Sequence, residues 1–324
     1  MGQHLDVHES RIPKQAATLA MTRPPTGEQF DLESGEWRLT VVEVGGGLRE
    51  LRRGDWRVLD GYPVDRMCNG GRGQALLPWP NRIDGGRYTF EGQPYQLALT
   101  EPLHGNAIHG LTRWSHWRPV ERSAARVVLA HELDPQPGYP FSLSLRLHYE
   151  LTPQGLTVRT SVTNAGVARC PVGVGFHPYF SCGPAGARVD ASELTVPGRE
   201  YVLADQRGIP TGRARVDGTL FDFRRAQPIG ELVLDHAFAS LERDRDGRTR
   251  VELASADQRR RITLWLDESY RYIQVFTGDT LPQAERRLGV AIEPMTCPAN
   301  AFSTGESLRV LEPGESWHCE WGIA

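Results

Sequence analysis

Between Phe141 and Leu151 every second residue is apolar: Phe141, Leu143, Leu145, Leu147, Tyr149 and Leu151 alternate with Ser142, Ser144, Arg146, His148 and Glu150. A period of two is what a half-buried strand requires and what a helix cannot use. Thr152-Pro153-Gln154-Gly155 follows, with proline second and glycine fourth, and Leu156, Val158, Thr160 and Val162 alternate on the return. The stretch predicts a long antiparallel hairpin. The same period recurs at Trp37, Leu39 and Val41 within 36–44, at Ile262, Leu264 and Leu266, through Tyr272 to Phe276, and at Trp317, Cys319 and Trp321. Arg52-Arg53-Gly54-Asp55 reads as a turn. With 34 Gly and 23 Pro as breaks and no sustained helical period, the expected class is all-β, a large antiparallel β-sandwich. His148 and His318 fall on polar faces and read as solvated surface.

No linker divides the chain after residue 26, so residues 26–324 read as one domain. Residues 1–25 are polar and read as a flexible N-terminal arm with a short helix around Lys14 to Met21, where Met21 is a candidate start. His4 and His8 share a helical face there but lack a third ligand. A net charge of −3 and a pI near 6.4 leave no footprint for nucleic acid, and no apolar run is long enough to span a membrane. Lys14 is the only lysine among 37 Lys and Arg, which removes Schiff-base and P-loop lysine chemistry from the folded part. Five scattered cysteines without a CxxC pair argue against zinc ribbons and disulfide scaffolds. Residues 1–20 lack the apolar core of a secretory signal, and the expected location is cytoplasmic.

Two segments carry acid/base chemistry on a face of small residues. In an extended Val172–Pro178, Val172, Val174 and Phe176 share one side, and Gly173, Gly175 and His177 the other. This predicts an imidazole at a strand end, over a hollow left by the glycine track. In Gly289–Pro294, Val290 and Ile292 face one way, and Gly289, Ala291 and Glu293 the other, again with proline after the ionisable residue. His177 and Glu293 form the expected general acid and general base.

Further motifs are Pro80-Asn81-Arg82-Ile83, the hairpin Arg87 to Leu97, His104-Gly105 and His109-Gly110, Asp235-His236-Ala237-Phe238, and Gln274 through Asp279. Taken in order with Phe176-His177-Pro178-Tyr179-Phe180 and Ala291-Ile292-Glu293-Pro294, they make the chain resemble the aldose 1-epimerase (galactose mutarotase) family over nearly its whole length beyond the arm. The resemblance implies a β-sandwich holding a sugar in an open cleft, with His177 as acid and Glu293 as base. Arg82, His109, Asp235 and Gln274 match positions that hold sugar hydroxyls, as do Asn81 and Tyr179. The implied reaction opens and recloses a hemiacetal with no metal or organic cofactor. The implied partner is a small-molecule sugar, and the implied assembly a monomer or homodimer. Phe176 and Pro178 replace residues common in galactose-acting members and point to a bacterial-type subgroup. Arg52-Arg53 and Arg259-Arg260-Arg261 keep open a phosphorylated or sulfonated hexose. A carbohydrate-binding protein without turnover is the rival from another class. His104 reads as local structure, and Trp79, Trp114 and Trp117 as core or rim packing.

Overall fold

The expected hairpin forms. In the computed structural model, which describes residues 23–324, strands Leu143–Thr152 and Gly155–Asn164 run antiparallel in a register that pairs Thr152 with Gly155. Leu145, Leu147, Tyr149, Val158 and Val162 are fully buried along it. The arm up to residue 22, with its expected helix and the His4/His8 pair, lies outside the described residues. At the first described positions Arg23 pairs with Glu43, and the Pro24 carbonyl accepts the Gly27 N–H at 2.8 Å.

The hairpin sits within a nine-stranded sheet. Gly155–Asn164 pairs with Ser316–Ile323, which pairs in turn with Arg261–Leu266. An eight-stranded sheet lies against it and contains Asp235–Leu241, Tyr272–Phe276 and Val290–Met295 in that order. The short strands Gly175–Phe176 and Tyr179–Phe180 both pair with Val290–Met295. A four-stranded sheet from Gln29 to Arg57 completes the framework. One continuous core joins all three. The Phe176 and Trp321 rings meet across the two large sheets, with centroids 5.1 Å apart. Full burial of such side chains contributes roughly 1.5–3 kcal/mol each, so this layer of contacts holds the sandwich closed. Among the described residues the only α-helix is the four-residue Ala301–Thr304.

The eight-stranded sheet turns one face to the core and the other to a cleft. Ile273, Val275, Val290 and Ile292 point inward, so strand alternation sends Gln274, Ala291 and Glu293 outward. Neighbouring strands pair Ala237 with Gln274 and Gln274 with Glu293. On the far side of Glu293, Gly175 pairs with Met295 and Tyr179 with Ala291. That register places position 177 opposite position 293.

Two features of the sequence reading need correction. The glycine track beside His177 is not a hollow. A methyl group on Gly173 would collide with Cys297 Sγ, and one on Gly175 would sit 2.6 Å from Pro80 Cβ. These glycines admit protein, and Gly289 does the same for Asp60, whose Cβ would lie 2.6 Å away. Glu293 also does not end its strand, because pairing continues through Pro294 to Met295.

Candidate active site

His177 and Glu293 meet directly: Nε2 of the imidazole lies 3.2 Å from Oε1 of the carboxyl group. The cross-strand register makes the two side chains neighbours although they lie more than a hundred residues apart in the chain. Both side chains are almost wholly buried, at 7% and 3% exposure. Burial disfavours charge on either group. It pushes the imidazole down to about 3, with Arg113, Arg72 and Arg82 acting in the same direction. It pushes the carboxyl group well above its usual range, with Asp235 adding to the effect and Arg82 opposing it. Both shifts favour one arrangement, a carboxylic acid donating to a neutral imidazole. An ion pair would differ only in which side of the gap the proton occupies. His177 Nδ1 and Glu293 Oε2 are buried with no hydrogen-bond partner in the protein.

The imidazole is fixed from three sides. Tyr179 stacks on it at 5.1 Å and 15°, His109 meets it edge-on at 5.3 Å, and Gly71 presses against its edge. A Cβ on Gly71 would come within 2.9 Å of His177 Cδ2.

Around the pair opens a cleft of about 300 Å³, a volume at the small end for ligand sites. It is lined by every expected site residue except Tyr179. Asn81 and His109 both hold left-handed backbone conformations, with φ of 55° and 61°. They lock each other: the Asn81 N–H donates to His109 Nδ1 at 3.2 Å, and the His109 N–H donates to the Asn81 carbonyl at 2.9 Å. Because Nδ1 accepts, the ring proton sits on Nε2, the nitrogen left to donate to a ligand. Burial pushes His109 well below 6.5, so it serves as a neutral donor. Arg82 makes a two-pronged contact with Glu101, both bonds at 2.9 Å. Burial works against the Glu101 carboxylate, but Arg82 and His104 hold it below its usual range. Asp235 is exposed in the cleft and accepts a 2.6 Å hydrogen bond from Gln274 Nε2.

Tyr179 is the exception among the expected sugar contacts. Its hydroxyl donates to the Gly70 carbonyl at 3.0 Å, its ring is buried, and it touches the imidazole rather than the open cleft. His104 supports Glu101 from 3.0 Å. Trp79 and Trp117 are core residues, and Trp114 is exposed away from the cleft. His318 is exposed, and His148 is half-buried beside Ser161.

Sequence reasoning passed over several residues that shape the cleft: Gly70, Gly71, Glu101, Phe276 and Arg113. The Gly70-Gly71 doublet was the available signal, since paired glycines at positive φ mark a tight approach. Arg113 carries no motif. Its carbonyl is held by Gln74 Nε2 at 3.1 Å, and its half-buried guanidinium has no ion-pair partner among the described residues. Burial draws its pKa down. A wider cleft of about 920 Å³ runs past Arg213, Arg271 and Arg309 but contains neither His177 nor Glu293. Its Arg213 and Arg309 are paired with Glu306 and Glu315. Among the described residues no cluster of His, Cys, Asp and Glu is arranged to hold a metal, and no helix is long and apolar enough to cross a membrane.

The chain is 33% identical to the uncharacterized protein YihR of Escherichia coli (strain K12) over 291 residues, 90% of this chain and 91% of the relative. It is 32% identical to human galactose mutarotase over 229 residues, 65% of this chain and 64% of that one. A GalM/aldose epimerase homologue from C. elegans shares the fold with a TM-score of 0.81 at 18% identity, over 92% of this chain and 98% of its own. The aldose 1-epimerase profile matches residues 28–323, and the chain therefore belongs to the aldose 1-epimerase family of isomerases.

Proposed function

We propose that this protein interconverts the α and β anomers of an aldohexose by acid/base ring opening and reclosure. The observation that carries the reading is the 3.2 Å contact between His177 and Glu293. Mutarotation exchanges protons at the anomeric hydroxyl and at the ring oxygen, two atoms bonded to the same carbon. An acid and a base serving them must stand side by side. In the working form Glu293 is the carboxylate and His177 the imidazolium. Glu293 takes the proton from the anomeric hydroxyl as His177 delivers one to the ring oxygen, and the C1–O5 bond breaks to leave an open-chain aldehyde. Rotation about C1–C2 presents the other carbonyl face, and reversed proton transfers close the ring. Each turnover leaves the pair with the single proton it began with. His109 Nε2–H, Arg82, Asn81, Gln274 and Asp235 hold the remaining hydroxyls, and this positioning supplies much of the acceleration.

Polarimetry on a freshly dissolved aldohexose tests the reading. Glu293→Gln and His177→Asn should each slow anomerisation about 10²–10⁴-fold while the protein stays folded. Unchanged rates in either folded variant refute it. Sugar binding without acceleration in the wild type would instead identify a carbohydrate-binding protein.

Arg113 favours a second reading, a hexose bearing an anionic group. Arg52 and Arg53 pair with Glu50 and Glu36, Arg261 pairs with Glu252, and Arg260 donates to the Gly183 carbonyl; none of them lines the cleft. Arg113 does line it and, with Glu101 acting on it only from a distance, makes no direct ion pair among the described residues, a contact that a phosphate or sulfonate would supply. Comparing kcat/KM for glucose and glucose 6-phosphate in wild type and Arg113→Gln separates the readings. A loss confined to the anionic sugar supports the second, and equal kcat/KM on both sugars supports the first.

A further inference from the structure

Behind the imidazole Tyr179 and Arg72 form a buried layer outside the cleft lining. Tyr179 packs one ring face on His177 at 5.1 Å. Another neighbour of the ring is Arg72, whose guanidinium carbon lies 4.9 Å from the ring centroid. The Arg72 side chain is only 4% exposed and is tied down in several directions. It reaches Asp60 Oδ2 at 3.3 Å through Nη2, Asn69 Oδ1 at 2.8 Å through Nη1, and Glu285 Oε2 at 3.1 Å through the same nitrogen. Asn69 Nδ2 in turn donates to Glu285 at 2.7 Å. Asn69 and Arg72 flank Gly70 and Gly71, the turn whose carbonyl accepts the Tyr179 hydroxyl and whose second glycine abuts His177. The Gly73 N–H then donates to the His177 carbonyl at 2.8 Å.

We propose that Arg72 is the positioning residue of the acid/base pair, clamping Tyr179 and the Gly70-Gly71 turn against His177 so that Nε2 stays aimed at Glu293. This rests on the epimerase reading, in which His177 exchanges protons with the sugar. An arginine suits the post because its planar fork stacks on an aromatic ring while binding three partners in different directions. A lysine offers one compact charge and no plane. The clamp acts on the imidazole and leaves the contacts that hold the sugar hydroxyls intact.

The test is anomerisation kinetics on the full-length protein, with glucose and galactose as substrates. Arg72→Met should lower kcat about tenfold, as expected for a sub-ångström displacement of a reacting group, with KM changed less than twofold. Arg72→Lys should stay within about threefold of Arg72→Met. In a Tyr179→Leu background, Arg72→Met should cost less than about twofold, because the ring through which it acts is gone. Should Arg72→Met fail to fold, Glu285→Gln removes one tie, and a loss of about threefold in kcat at unchanged KM is expected. Full activity in Arg72→Lys, an undiminished tenfold loss in the Tyr179→Leu background, or an unaltered kcat in Glu285→Gln would overturn the clamp. A wild-type protein with no anomerase activity would overturn the epimerase reading instead.

Discussion

Gly71→Ala is the sharpest test of how the imidazole is held. Gly71 has a φ of +74°, and a Cβ there would lie 2.9 Å from His177 Cδ2, closer than real Cβ atoms approach a neighbour. Something must move by several tenths of an ångström. The turn is bound through Arg72, Asn69 and Tyr179, so the imidazole yields. Cδ2 is bonded to Nε2, and pushing one drags the other off its 3.2 Å contact with Glu293. Misplacing a reacting group by about 1 Å costs up to about 10²-fold, so kcat should fall roughly ten- to a hundredfold. The left-handed backbone adds about 1–2 kcal/mol of strain, which lowers Tm by only a few degrees in a chain of this size. Gly198→Ala is the matched control. Its Cβ would also stand 2.9 Å from a neighbour, but that neighbour is Phe238 Cβ in the core. Overpacking there should cost about 1–3 kcal/mol and leave kcat within about threefold of wild type. Polarimetric initial rates and thermal melts on both variants decide the matter. A folded Gly71→Ala with wild-type kcat, or a Gly198→Ala equally impaired in kcat, would refute the reasoning.

Three further outcomes follow from the buried pair. Turnover needs one proton shared by His177 and Glu293, and the acid limb of the kcat/KM profile therefore tracks the imidazole, pushed down to about 3, not an ordinary carboxylate at 4.5. At pH 4 roughly nine-tenths of the plateau should remain, against about one-quarter for a group titrating at 4.5; rates corrected for the solvent reaction check this. Asp235 raises and Arg82 lowers the Glu293 pKa, so Asp235→Asn should move the alkaline limb to lower pH and Arg82→Gln to higher pH. Shifts in the same direction would contradict the assignment. The pair also shapes stability. Between about 3 and 4.5 the unfolded chain binds two protons on these groups and the native pair one, so stability rises with pH. Denaturant melts should show this rise between about 3 and 4.5 flattened in the double variant His177→Asn/Glu293→Gln.

The hairpin at Phe141–Val162 was legible because a half-buried sheet writes its period directly into the chain, with each buried Leu or Val answered by a polar neighbour. The catalytic candidates were legible as types, an imidazole and a carboxyl group each on a small-residue face. Their meeting was not, because cross-strand register between distant segments leaves no mark in either one. Nor does a glycine name what approaches it: Gly173 and Gly175 make room for Cys297 and Pro80, and the turn that confines His177 comes from Gly70-Gly71 on a remote segment. Arg113 and Arg72 were hidden among many arginines, a number of which form surface ion pairs. The register itself rests on hydrophobic packing. Val290 and Ile292 are buried in the core, and this is what turns Glu293 to the cleft. A slip of one residue would put the carboxyl group into hydrocarbon and a branched aliphatic side chain beside His177. The pattern that closes the sandwich is therefore the same pattern that brings acid and base to one rung of the sheet.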